Sequence, residues 1–75
     1  MSKTVLDVKG LNCPLPILRA KKAIKELAPG AILEVIATDP GSVKDFDAFC
    51  RQTGHRLLGH TEGDGVYTFK IEKVG

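Results

Sequence analysis

Glycine and proline recur so often in this 75-residue chain that no regular segment can run long. Gly10, Pro14 and Pro16, then Pro29-Gly30, Asp39-Pro40-Gly41-Ser42, Gly54 and Gly63-Asp64-Gly65 punctuate it. At each, an unusual backbone geometry or a missing amide ends an element. What lies between must be short strands and helices of about three turns. A chain of this size buries only about 60% of the surface its unfolded form exposes. That supports one layer of helices on one sheet and leaves no room for a deep substrate chamber.

The apolar pattern assigns the segments. Thr4 to Lys9 alternates, with Leu6 and Val8 on one side and Val5 and Asp7 on the other, which predicts a first strand. From Pro14 to Ala28 the spacing predicts a helix, with Ile17, Ala20, Ala23, Ile24, Leu27 and Ala28 on one arc and Pro29-Gly30 as its stop. Ala31 to Thr38, rich in Ile, Leu and Val, reads as a buried second strand. With Ser42 as N-cap, a second helix runs from Val43 to about Thr53. Its apolar side holds Val43, Phe46, Phe49 and Cys50, and Gly54 closes it. His55 to Glu62 and Val66 to Lys73 flank a hairpin turn at Gly63-Asp64-Gly65. Tyr67, Phe69 and Ile71 face one way there, and Thr68, Lys70 and Glu72 the other. The order β-α-β-α-β-β predicts a two-layer α/β sandwich, two helices on one face of a four-stranded mixed sheet, as one domain over residues 1–75.

Composition narrows the function. Hydrophobic residues at 43% and charged residues at 27% are ordinary for a folded soluble protein. Eleven basic against nine acidic residues give +2, too weak a charge to announce a nucleic-acid partner. No apolar run approaches the roughly 20 residues of a membrane span, and MSKTVLDVKG lacks the apolar core of a leader. The expectation is a cytoplasmic protein with reduced thiols and no membrane contact. Two cysteines cannot make a disulfide-dense scaffold, and they fill a four-ligand zinc site only if both histidines join them. His55 and His60 are an odd number apart on one strand, which puts them on opposite faces unless a bulge intervenes. No metal and no cofactor are expected.

The two cysteines differ in setting. In Asn12-Cys13-Pro14-Leu15-Pro16, Pro14 suits the first helical position and makes Cys13 the N-cap. Pro16 then stiffens the first turn, and the amides of Leu15 and Ile17 are left free to face an anion. The positive end of the helix favours thiolate over thiol, so the expectation is a lowered pKa and a nucleophilic sulfur at Cys13. A cysteine merely packed into the strand–helix turn is the competing reading. Cys50, among Phe46 and Phe49, reads as a structural thiol with a raised pKa. No C-x-x-C spacing joins them.

Leu15 and Leu18 fall opposite Ile17 and Ile24, beside Arg19 and Lys22. Leucines on the exposed side, one turn from the sulfur and rimmed by cations, form a candidate docking patch for a partner protein. Arg19, Lys21, Lys22 and Lys25 against Glu26 alone would also suit an acidic partner or simply a solvated face.

Leu6-Asp7 with Gly10, Cys13-Pro14-Leu15-Pro16 opening a helix, and Thr38-Asp39-Pro40-Gly41-Ser42 together resemble the TusA/SirA-like sulfurtransferase family. The likeness extends through Phe49-Cys50, Gly54-His55 and the closing hairpin, essentially the whole chain. It implies a small sulfur carrier with the sandwich read above, a fold resembling the C-terminal domain of a bacterial translation initiation factor. By that resemblance Cys13 accepts sulfane sulfur as a persulfide from a cysteine desulfurase or rhodanese and passes it to an acceptor protein. The destinations it implies are tRNA thiolation, molybdenum cofactor maturation or sulfur oxidation. Pro14 and Pro16 complete the motif, and Asp39 matches the family's Asp-Pro position, where an acidic group would bond the cysteine loop, influence persulfide protonation, or simply make an Asx turn ahead of Pro40.

Two other classes compete. A non-enzymatic regulatory or RNA-binding module would use the basic first helix, but Phe46, Phe49, Tyr67 and Phe69 are the only aromatics and most read as core. A redox sensor would need a resolving cysteine near Cys13. Direct nucleic-acid contact is not expected.

Overall fold

The computed structural model describes residues 3–75; Met1 and Ser2, the start of the segment read for a leader, lie outside the described residues. The elements are β1 (Lys3–Asp7), α1 (Leu15–Lys25), β2 (Ile32–Ala37), α2 (Ser42–Thr53), β3 (Arg56–Gly63) and β4 (Val66–Glu72). The sheet order is β1-β2-β4-β3, with β1 parallel to β2 and the other two pairings antiparallel. This is the expected pair of helices on a four-stranded mixed sheet.

Alternation fixes which side of the sheet is covered. On β2, Leu33, Val35 and Ala37 are buried while Ile32, Glu34 and Ile36 stay partly open on the other side. Phe69 and Ile71 of β4 join them, and Val8, Ala20, Ile24, Phe46, Phe49 and Cys50 close the core from β1's end and the helices. Phe46 is its hub. Its ring stacks on Phe69 at 4.7 Å and meets Phe49 edge-on at 6.3 Å, both favourable aromatic geometries.

The ends of the elements have identifiable causes. α1 stops at Lys25, three residues short of the expected Ala28. The Glu26 and Leu27 amides turn back to the Ala23 and Ile24 carbonyls, tightening the last turn. The Lys73 ammonium, arriving from the end of β4, then takes the Lys25 and Leu27 carbonyls at 3.2 and 2.6 Å. That cation at a helix C-terminus could not be read from the local segment. α2 begins one residue earlier than expected, with Gly41 as N-cap. Ser42 is buried inside the helix, its hydroxyl donating to the Asp39 carbonyl at 2.6 Å. Gly54 ends α2 in the left-handed region at φ 84°, its amide bonded to the Cys50 carbonyl. Asp64 and Gly65 both carry positive φ between paired Gly63 and Val66, as a two-residue hairpin of this hand requires.

The expected opposition of the histidines does not hold. Leu57 pairs with Ile71 and Gly59 with Lys70, so Leu58 is an extra residue in a bulge. The bulge inverts the alternation beyond it. His55 meets Phe49 at 6.1 Å and His60 stacks on Phe69 at 5.8 Å, so both rings lie on the helix-covered side.

Truncating the hub tests this packing. Phe46→Ala lowers the unfolding free energy in urea by about 3–5 kcal/mol, whereas Val5→Ala, on the open side, changes it by less than about 1 kcal/mol.

Candidate functional site

The site assembles where three connections meet: the loop from β1 to α1, the loop from β2 to α2, and the first turn of α2. Thr38 and Asp39 leave the end of β2 pointing at the neighbouring loop. The Thr38 hydroxyl accepts the Gly10 amide at 2.9 Å, and an Asp39 carboxylate oxygen accepts the Cys13 amide at 3.1 Å. The second Asp39 oxygen accepts the Gly41 amide at 3.2 Å. Two of the roles weighed for Asp39 therefore coexist, since it closes an Asx turn and also holds the cysteine loop.

Cys13 itself is exposed and unpaired as a disulfide, while Cys50 is buried. The helix does not start where the proline pattern predicts. Pro14 is the N-cap of α1 and Leu15 its first residue, so Cys13 stands one position outside. The Leu15 amide, expected to be free, is taken by the Asn12 carbonyl at 2.9 Å in a turn that precedes the helix. Pro16 is buried against the core, Pro14 is exposed, and the peptide joining Cys13 to Pro14 is cis.

The lowered thiol pKa is overturned. Asp45, in the first turn of α2, brings a second carboxylate to the sulfur, so that Sγ of Cys13 and one oxygen each of Asp39 and Asp45 lie within 4.8 Å of one another. The thiol donating to Asp45 pushes the Cys13 pKa above its ordinary value, with desolvation and the charges of Asp45 and Asp39 adding to the shift. The physical reason is a comparison of charges. A helix end offers about half a positive charge, while two carboxylates at similar range offer full negative ones. Cys50 behaves as expected: burial among the phenylalanines, with the nearby Asp47 charge adding a little, pushes its thiol up to about 11.

The docking candidates are where helical geometry places them. Leu15 and Leu18 are 45% and 54% exposed, and Arg19 and Lys22 are exposed on the same helix. The aromatics weighed as stacking platforms are not free: Phe46, Phe49 and Phe69 are buried and Tyr67 packs against the core. Asp45 is the site residue that sequence reasoning missed. An acidic residue in the first turn of a helix already has an explanation in the helix dipole, which masks a second one. Among the described residues, the three that offer metal-type donors together are these same Cys13, Asp39 and Asp45; neither histidine shares that site.

Comparison with known proteins decides the family. The sequence model for sulfurtransferase TusA matches residues 4–73. The chain belongs to the TusA sulfurtransferase family. It is 60% identical over 68 residues to the sulfur carrier protein TusA of Allochromatium vinosum, covering 91% of this chain and 90% of that one. It is 57% identical over 72 residues to a putative sulfur carrier protein of Neisseria meningitidis, covering 96% and 97%. Among solved structures, a SirA-like protein from Desulfitobacterium hafniense superposes with a TM-score of 0.84 at 28% identity, over 96% of this chain and 99% of that one. The protein is a sulfur carrier, and carriage implies a protein that gives sulfur and one that takes it. No helix among the described residues is long and apolar enough to cross a membrane.

Two measurements follow for the thiols. Iodoacetamide at pH 8 labels Cys13 and spares Cys50 until the protein is unfolded. Because the folded Cys50 pKa is raised, its contribution to stability is complete below the unfolded thiol value of about 8.5 and is lost as pH rises toward about 11. The unfolding free energy of the protein therefore declines across that window, and Cys50→Ala makes the decline shallower.

Proposed function

We propose that Cys13 is the sulfur-bearing residue and that the protein acts as a persulfide relay, a sulfurtransferase whose turnover requires partner proteins. The observation that carries this reading is the contrast between the two thiols: Cys13 is open to another protein's active site and Cys50 is enclosed. A relay needs its sulfur on a rigid support, and the hydrogen bond that the Cys13 amide donates to the Asp39 carboxylate provides one. Pro14 and Pro16 serve the same end by stiffening the start of α1.

Loading is thiol–disulfide exchange applied to a persulfide. Cys13 loses its proton to solvent, and its thiolate attacks the outer sulfur of a donor's cysteine persulfide. A new S–S bond forms on Cys13, the donor's S–S bond breaks, and the donor cysteine leaves as thiolate. No metal or organic cofactor enters this balance. The donor is a cysteine desulfurase or a rhodanese, and the acceptor belongs to tRNA thiolation, molybdenum cofactor maturation or sulfur oxidation. Leu15 and Leu18, bordered by Arg19 and Lys22, form the docking face, because exposed apolar side chains rimmed by cations are what a transient interface uses. The 75 residues act as one carrier domain in the cytoplasm, where thiols stay reduced.

Incubation with a cysteine desulfurase and cysteine, or with a rhodanese and thiosulfate, adds about 32 Da, one sulfur atom, at Cys13. Cys13→Ser abolishes the gain and Cys50→Ser keeps it; the reverse pattern sinks the assignment. Leu18→Glu slows loading by a donor protein at least about tenfold while leaving alkylation of Cys13 unchanged. Equal loading rates would remove the leucines from the interface.

A further inference from the structure

The neighbourhood of the sulfur is unusual for a residue that must become a nucleophile. Cys13 comes from the β1–α1 loop, Asp39 from the β2–α2 loop and Asp45 from α2, and their side chains converge within 4.8 Å at an exposed position. Asp39 is committed to two backbone amides, through both its oxygens. Asp45 differs: its amide bonds to Gly41 as part of the helix, and its carboxylate, which also lies close to Gly41 at the helix start, comes within 4.8 Å of the thiol. Asp47, two residues on, pairs instead with Arg51 along α2 at 3.3 Å. The cations of α1, Arg19 and Lys22, are exposed on that helix, and Lys44 is exposed on α2.

Resting on Cys13 as the carrier sulfur, we propose that Asp45 is a positioning residue for transfer, its carboxylate receiving the Cys13 S–H and holding the carried sulfur in its protonated form. Such a device suits a carrier better than a standing thiolate. A neutral thiol resists alkylation and oxidation between encounters. Once loaded, Cys13–S–SH is an electrophile at its outer sulfur, whereas the anionic persulfide is a nucleophile. In delivery, an acceptor thiolate attacks that outer sulfur, the S–S bond between Cys13 Sγ and the outer sulfur breaks, and the proton stays on the transferred sulfur. Cys13 leaves as thiolate and is reprotonated by water beside Asp45. Atoms and electrons balance without an oxidant or reductant.

The test reads the free protein first. The rate of iodoacetamide alkylation at Cys13, resolved from Cys50 by mass spectrometry, is followed against pH for the native chain, Asp45→Asn, Asp45→Glu and Asp47→Asn. Asp45→Asn shifts the profile to lower pH and raises the rate at pH 7 about fivefold to tenfold. Asp45→Glu restores most of the native profile, and Asp47→Asn leaves it in place. Asp45→Asn then loads faster from a donor and delivers more slowly to an acceptor thiol. A profile unmoved by Asp45→Asn, or moved as far by Asp47→Asn, overturns the proposal. Should Asp45→Asn fail to fold, the Cβ chemical shift of Cys13 in the native chain decides. A titration midpoint at or below that of free cysteine sinks the idea, and one above it upholds it. These readings need no sulfur donor, so they can fail while Cys13 still loads. Loading that persists in Cys13→Ser would instead defeat the carrier assignment.

Discussion

One carboxylate ties the site to the fold. Asp39 accepts the Cys13 amide with one oxygen and the Gly41 amide with the other, joining the loop before α1 to the start of α2. Its own carbonyl takes both the amide and the hydroxyl of Ser42. Thr38 next to it anchors Gly10. The cysteine loop has little apolar surface to bury and would otherwise be among the least stable parts of the chain. Its position is inherited from β2, the parallel partner of β1 and antiparallel partner of β4, and so from the best-buried strand in the molecule.

The same arrangement explains why the two cysteines differ in kind while both have raised pKa values. Cys50 is raised chiefly by loss of water, and it is unreachable. Cys13 is raised chiefly by a hydrogen bond to a carboxylate, and it stays open. Burial cannot be undone without unfolding. A surface carboxylate's influence depends on what lies beside it, because its field is screened by solvent and changed by a docking partner. A thiol controlled in this way is compatible with a carrier that reacts in complexes and rests between them.

Much of the architecture was legible because short-range chemistry dictated it. Gly54 marks the end of α2, Asp64-Gly65 makes the hairpin, and Phe46 and Phe49 share the apolar side of α2, all as spacing predicts. The errors came where a distant group intervened. α1 ends early in a tightened turn, where Lys73, nearly fifty residues away, takes the Lys25 and Leu27 carbonyls. His55 and His60 share a side because of one extra residue at Leu58. Strand-edge bulges leave no local mark stronger than a glycine, here Gly59.

By itself, then, the sequence determined the six elements, the separation of an open cysteine from an enclosed one, and the family, because each rests on residue types at fixed local spacing. The charge environment of Cys13 was decided only by tertiary structure. The helix-start argument counted partial charges supplied by neighbours in the chain, and those are all that a local reading can see. Asp39 and Asp45 reach the sulfur across 26 and 32 positions of sequence, through the pairing of β1 with β2 and the placement of α2 beside the loop. Full charges brought near by folding outweigh half charges set by the backbone.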